Sequence, residues 1–365
     1  MNVLAVVVGA VLVGAMLLDS FETLLANNLR SGRFSFTRGY YTTLWAGCRA
    51  LSLRIRSEAR REKFLARFGP ASFLGLLASW TLIEIAGWGL IWWGLRAGFD
   101  GAIQSLGDAW YYSGVVYFSI GFGDILPATG LLRLLTVAAG LSGLGTLGLV
   151  IGFLPSLNAA YSARERQLLL LDDLTDQRIT PVSLVRAYLG PDNDVEALDA
   201  MFDEWATWCA EIYDSHTSFP MLMWFRSKHR GHSWITGLGV VTDAAIAFAA
   251  TVPGAETGSA MRLQRQAVRL VSGLGRRVDL EPNHEAARLT ARWWSVGYSV
   301  MQTTGLPMRS FEESFARLTA MREEFHPYME AFIDELLAPR GFWGVTAADH
   351  LAEAEFTNLF GEDDA

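Results

Sequence analysis

Cysteine is nearly absent from this chain of 365 residues, which holds only Cys48 and Cys209. Because the two lie far apart, the sequence has neither a disulfide framework nor the paired spacing of a zinc ribbon. No basic stretch precedes the first apolar residues, which begin directly after Met1 and Asn2. Cleaved signal peptides carry such a stretch, so we expect a retained membrane anchor instead.

Signs of catalysis and of nucleotide binding are also missing. We find no nucleophile–base pair and no metal-ligand spacing, so we expect that the protein is not an enzyme. Gly143-x-Gly145-x-x-Gly148 matches a dinucleotide fingerprint in letters only, since it lies inside an apolar stretch with no strand before it. Alternation typical of strands is scarce, which predicts an all-α protein.

Charge and hydropathy divide the chain into two parts. Hydrophobic residues make up 51% of it and the mean hydropathy is +0.23. Residues 1–160 carry a net charge of +4 and residues 161–365 a net charge of −12. A membrane part followed by a soluble part is therefore predicted. The acidic second part excludes nucleic acid as a partner, because it offers no row of cations for phosphates.

Four apolar stretches organise the first part. Residues 3–18, extended by 21–25, and residues 71–95 and 134–157 are long enough to span a bilayer. Residues 109–118 are too short to cross, so they are predicted to form a re-entrant helix. The order is span, short helix, glycine-rich turn, span, which is the layout of an ion-channel pore unit.

The predicted organisation has five segments. They are an N-terminal transmembrane helix (1–28), a basic cytoplasmic segment (29–69), a pore domain (70–160), a helical cytoplasmic domain (161–355) and an acidic tail (356–365). The positive-inside rule puts the basic segment in the cytoplasm, with the N-terminus outside. Within it, residues 38–55 are expected to form an amphipathic helix on anionic lipid, and a further span is the alternative.

Residues Ser119-Ile120-Gly121-Phe122-Gly123-Asp124 carry the main functional motif. This run resembles the selectivity filter of potassium channels, usually Thr-Val-Gly-Tyr-Gly-Asp. Backbone carbonyls of four chains there replace the hydration shell of K⁺. The resemblance implies a homotetramer that conducts K⁺ passively in the plasma (inner) membrane. It also implies K⁺ coordination by residues 119–123, an acidic outer mouth at Asp124, and no cofactor beside the permeant ion.

The motif departs from the usual filter at three positions. Ser119 keeps a hydroxyl but lacks the methyl group of threonine, and Phe122 cannot donate a hydrogen bond. Val115 stands where some relatives carry a glutamate. Tyr111 and Tyr112 stand where the family often has paired tryptophans, so they are expected to support the filter.

Three glycines and one acid in the predicted spans are further candidates. Gly140, Gly143 and Gly145 are either a gating hinge or simply packing positions. Glu84 lies in the middle of a span. One interpretation is that Glu84 pairs with Ser142 or Thr146 and either couples the two spans or senses pH. The alternative is a structural, hydrogen-bonded acid.

The second part is predicted to be helical, with helices near 181–188, 195–214, 234–251, 259–274, 284–303 and 311–337. Residues 235–250 are apolar enough to suggest a span, but Asp243 favours a buried core helix. A zinc site is one interpretation of the three histidines in this region, but their spacing does not favour it: His216, His229 and His232. The stretch from Ser215 to Trp234 resembles the cytoplasmic domain of a bacterial potassium-channel family with one pore domain per chain, as does the run from Asp19 to Thr23.

We therefore predict a potassium channel with a tetrameric pore and a cytoplasmic domain that serves either gating or assembly. The alternative is a membrane-anchored sensor or scaffold whose cation pore is weakly selective or vestigial. A potassium-uptake transporter subunit would need four pore units in one chain, and one is visible. The gating stimulus does not follow from the residues.

Overall fold

A computed structural model describes residues 2–26, 35–172, 180–227, 233–285 and 289–339. These residues form helices and connecting segments, and none of them forms a strand. The chain divides into two compact units, Met1–Ala159 and Ala160–Ala365. The predicted all-α class is confirmed. The predicted acidic tail lies outside the described residues.

The first unit is built from five helices, which follow the apolar stretches of the sequence. They are α1 (Val3–Phe21), α2 (Phe36–Ser52), α3 (Glu58–Gly94), α4 (Leu106–Tyr117) and α5 (Gly130–Asp172). A π-helical turn, Glu22–Ala26, extends α1. Three segments have the length and composition to cross a membrane: Val3–Leu25, Ala59–Gly94 and Gly130–Leu171. Both α3 and α5 are longer than their apolar stretches, because backbone hydrogen bonding continues through the flanking polar residues.

Helix α1 packs closely along α3. A β-carbon placed on Gly9 would lie 2.4 Å from the carbonyl oxygen of Gly87, and one on Gly94 would lie 2.5 Å from Val6 Cγ2. Small residues allow two backbones in a membrane to approach this closely. The N-terminal helix is therefore an integral part of the first unit.

Helix α2 is amphipathic and rests on α3 by one face. Its buried residues recur at helical spacing: Thr37, Tyr41, Trp45, Cys48 and Ser52. The Trp45 ring lies 5.0 Å from the Phe68 ring, and the Tyr40 hydroxyl donates to the Ser72 carbonyl at 2.9 Å. Among the described helices, α2 is not one of those long and apolar enough to cross a membrane.

The end of α1, the start of α2 and the interior of α3 meet at Asp19. Its buried carboxylate accepts hydrogen bonds from Ser35 Oγ at 3.0 Å, Thr37 Oγ1 at 2.6 Å and Trp80 Nε1 at 2.9 Å. The Thr37 N–H also donates to it, so the acid sits at the first turn of α2 where the helix dipole favours it. Asp19 thus joins α1 to the basic segment through neutral donors of that segment.

The second unit contains α6 (Pro181–Leu189), α7 (Val195–Ser218), α8 (Trp234–Thr251), α9 (Ser259–Arg277), α10 (Ala291–Gln302) and α11 (Phe311–Leu336). Nearly every residue of α8 is buried in the core of this unit. This helix has the composition of a span, but its burial among the other helices agrees with the predicted core helix.

One predicted helix start is wrong. The helix expected from residue 284 begins at Ala291, where the Thr290 side chain accepts from the Trp293 N–H. The N–H of Asn283 instead donates to the Pro327 carbonyl at 2.8 Å, which is a tertiary contact with α11. Helix α7 begins at Val195 as predicted, and Asp194 caps it.

Candidate functional site

The short helix α4 is fixed at its start and along both flanks. Ser105 and Asp108 form a capping box at its N-terminus. Ser113 Oγ donates to the Ile85 carbonyl of α3 at 2.8 Å. The hydroxyls of Tyr112 and of Thr136 in α5 are 2.9 Å apart. Helix α4 is thereby held between two long helices, which positions the residues that follow it.

The backbone alternates in conformation through the predicted filter. Ser119, Gly121 and Gly123 have φ values of 55°, 66° and 78°, whereas Ile120 and Phe122 keep negative φ. Alternation of this kind lets successive carbonyls face one axis, which ion coordination by backbone oxygens requires. A β-carbon on either glycine would meet no atom within 4 Å, so backbone conformation, not space, favours glycine here.

Ser119 also ends α4. Its N–H donates to the Val116 carbonyl at 3.0 Å, and the Ile120 N–H donates to the Val115 carbonyl at 2.9 Å. This pair of bonds, with a left-handed residue between, is the Schellman arrangement, in which glycine is most common. A β-branched residue tolerates positive φ poorly, so the structure gives a reason for serine where threonine is usual.

The two adjacent tyrosines have different partners. The Tyr111 hydroxyl donates to Asp124 Oδ2 at 2.8 Å, so this side chain holds the residue after the filter. Tyr112 is buried, with its ring 5.6 Å from that of Trp92 and 5.2 Å from that of Phe99. It therefore supports α4 from behind and does not contact the filter's outer end.

The three candidate glycines of α5 differ in surroundings. A β-carbon on Gly143 would lie 2.1 Å from the carbonyl oxygen of Tyr117, the last residue of α4. One on Gly140 would come no nearer than 3.8 Å to Val116, and one on Gly145 would meet nothing within 4 Å. Packing alone accounts for glycine at position 143. It does not account for Gly145.

Glu84 links α3 to α5 directly behind α4. Its side chain is fully buried, and Thr146 Oγ1 donates to its Oε1 at 3.3 Å. One turn away, Trp88 Nε1 donates to Ser142 Oγ at 3.0 Å. Helices α3 and α5 are thus joined by two polar contacts.

Sequence reasoning missed several of these supports. Trp88 and Trp92 are both buried, and their rings stack with centroids 5.3 Å apart. Ser113 and Thr136 were not singled out. Isolated hydroxyl residues in apolar helices are the pattern that could have pointed to them.

Of the three histidines considered for zinc binding, His229 and His232 lie outside the described residues. His216 is buried, with Nδ1 3.0 Å from the Ile212 carbonyl and Nε2 3.4 Å from Arg164. Within the described part of the chain, no group of three or more metal-ligating side chains occurs.

A wide apolar face of α5 is exposed in the single chain, opposite the face that packs on α3 and α4. Its members follow helical spacing: Leu134, Val137, Leu141, Leu144 and Ile151. Ile120 and Phe122 of the filter are exposed as well. Together these residues form an apolar surface that the single chain leaves exposed.

Comparisons with known proteins support an ion-channel domain in this part of the chain. Residues 79–157 match the model of a family described as "Ion channel". The Bacillus subtilis (strain 168) protein "Uncharacterized membrane protein YdjJ" is 27% identical over 261 residues, which are 69% of this chain and 72% of that protein. No solved structure matches the chain. The match to the channel family contains α4, the filter residues and the glycines of α5. The family match points to an ion channel, the relative's name to a membrane protein, and neither points to an enzyme.

Proposed function

We propose that this protein is a potassium-selective channel whose pore lies on the axis of a homotetramer. The alternating backbone at Ser119, Gly121 and Gly123 carries the proposal. It follows a short helix held between two membrane-spanning helices. One chain supplies one quarter of the oxygens that would surround a dehydrated K⁺, so four copies are needed.

The exposed face of α5 supports the same assembly. Four-fold association would place this face toward the axis and toward neighbouring copies, and the polar contacts of α5 with α3 would remain inside each chain. Asp124, braced by Tyr111, would then form a ring of four carboxylates at the mouth. Such a ring concentrates cations near the pore entrance.

We further propose that the second unit lies in the cytoplasm and that the filter faces outside. The basic segment 30–67 supports this orientation through the positive-inside rule. Arg38, Arg54 and Arg56 are exposed there and can contact anionic headgroups of the inner leaflet. Flux should therefore be lower in liposomes without anionic lipid, and charge-neutral variants at these arginines should reduce that difference.

The test is K⁺ flux through the purified full-length protein in liposomes. We expect barium-sensitive K⁺ flux that exceeds Na⁺ flux, from an assembly of four 40.2 kDa chains. Gly121→Ala should abolish flux and leave assembly intact, since alanine is strained at this φ.

Gly101→Ala is the matched control. Gly101 also has a positive φ, 82°, and open space around it, but it lies in a turn outside the filter. Its flux should equal that of the wild type. Intact tetramers without flux would overturn the channel proposal in favour of a membrane-anchored scaffold. Equal K⁺ and Na⁺ flux would overturn the selectivity.

A further inference from the structure

Helix α5 runs without a break from Gly130 to Asp172, so its last turns belong to the second unit. Arg164 in these turns is fully buried. Its guanidinium donates to the carbonyl oxygens of Leu222 at 2.9 Å and Phe225 at 2.6 Å. It also contacts Glu165 Oε1 through Nε at 3.1 Å and Nη2 at 3.0 Å, and His216 Nε2 at 3.4 Å. An arginine has five N–H donors, and these five contacts use all of them.

Two neighbours of Arg164 on α5 bind the same stretch. The Tyr161 hydroxyl donates to the Arg226 carbonyl at 2.9 Å, and Ser227 Oγ donates to Glu165 Oε2 at 2.6 Å. Tyr161, Arg164 and Glu165 of α5 thus make four hydrogen bonds with residues 222–227. Leu222 lies in the short helical turn Pro220–Trp224, where its carbonyl also accepts from the Phe225 N–H at 3.1 Å, and residues 225–227 follow this turn without regular structure.

The stretch is tied in turn to the rest of the second unit. Arg226 Nη2 donates to the carbonyls of Leu336 at 2.6 Å and Leu337 at 2.9 Å, which end α11. His216 lies at the end of α7, and its ring is 5.0 Å from that of Trp234 at the start of α8. The end of α5 is therefore bonded to a junction where three other helices terminate.

We infer that Arg164 is a positioning residue that couples the second unit to the helix lining the pore. The inference rests on the proposed channel function. A rearrangement of α7, α8 or α11 moves the carbonyls of Leu222 and Phe225, and Arg164 passes that movement to α5. This gives a role to the stretch from Ser215 to Trp234, to which the sequence alone assigned none.

The first readout is hydrogen–deuterium exchange on the full-length protein, which does not depend on conduction. In Arg164→Gln, exchange should rise about tenfold in peptides covering 219–227 and in the last turns of α5, because several charge-assisted bonds are lost. Arg322→Gln is the matched control: it breaks another buried ion pair of the second unit, with Asp243, away from α5. Its exchange should rise in α8 and α11 and stay unchanged in α5.

The second readout is K⁺ flux in liposomes. Arg164→Gln should change flux per tetramer about tenfold, whereas Arg322→Gln at the same loss of thermal stability should not. Tyr161→Phe removes one hydroxyl only and keeps the fold, so a smaller change of the same sign is expected.

Three outcomes would overturn the coupling role. They are unchanged exchange in α5 for Arg164→Gln, equal flux effects of the two arginine variants, or a Tyr161→Phe effect of opposite sign. Absence of flux in the wild type would overturn the channel function instead, and the exchange experiment would still decide the coupling.

Discussion

The two units bury acidic side chains with different kinds of partner. In the first unit, Asp19 accepts from hydroxyls and the Trp80 indole, and Glu84 accepts from the Thr146 hydroxyl. In the second unit, buried Asp243 pairs with Arg322 and His326. A guanidinium is costly at membrane depth, whereas neutral donors cost little there. The comparison teaches that each unit satisfies its buried acids with the donors that its surroundings tolerate.

Removing one charge should therefore cost much more in the second unit. Asp243→Asn leaves Arg322 buried beside a neutral amide, and we expect a loss of about 3–5 kcal/mol in the free energy of unfolding. Asp19→Asn retains an acceptor for the Thr37 and Trp80 donors, so about 1 kcal/mol is expected. Chemical denaturation with exchange resolved by unit would measure both. Equal losses in the free energy of unfolding for the two variants would contradict the proposed difference between the units.

The glycines of α5 test how tightly the first unit is packed. Gly143→Ala forces a β-carbon against the Tyr117 carbonyl, and we expect a loss of about 1–3 kcal/mol together with reduced flux. Gly145→Ala meets open space within the chain and should gain about 0.5–1 kcal/mol of helix stability. Thermal melting and flux separate the two. If Gly145→Ala abolishes flux in stable tetramers, position 145 is a hinge or contacts a neighbouring copy.

Periodic and local features of the first unit could be predicted from the sequence. The apolar stretches predicted the three candidate spans, and the glycine spacing agrees with the alternating backbone of residues 119–123, whereas the bond from Tyr111 to Asp124 was not predicted. The contacts that join helices could not be predicted. Trp80 and Asp19 are 61 positions apart, and Arg164 and Phe225 are also 61 apart. No periodicity relates such pairs, because tertiary packing selects them. Arg164 in particular looks like any exposed helical arginine in the sequence.

Acid should weaken the second unit, where all six histidines of the chain lie. Burial and the charge of nearby Arg164 hold the pKa of His216 well below its ordinary value. Below about pH 6.5 this histidine is protonated in the unfolded chain but stays neutral in the folded chain. The free energy of unfolding therefore falls as the pH falls. Between pH 6.5 and 5.5 we expect a loss of about 1 kcal/mol from this group. It is fully regained above that range.

Thermal melting of the second unit against pH, in wild type and His216→Asn, measures this contribution. The variant should lose stability at every pH but show a shallower decline on acidification. Identical slopes would show that another group is responsible.

The smallest effect on stability is expected at the exposed pair of Tyr111 and Asp124. Here too, a neutral hydroxyl donates a hydrogen bond to an acid. Tyr111→Phe removes one hydroxyl–carboxylate bond, and its effect on folding stability should be small since both side chains are exposed. K⁺ bound in the filter should stabilise the tetramer, so melting temperature can be followed against K⁺ concentration. The variant should need about fivefold more K⁺ for half of the stabilisation.

Tyr112→Phe is the control, because its hydroxyl contacts Thr136 and not Asp124. It should lower the melting temperature without moving the K⁺ midpoint, and a shift of that midpoint in both variants would mean that the filter responds to α4 as a whole.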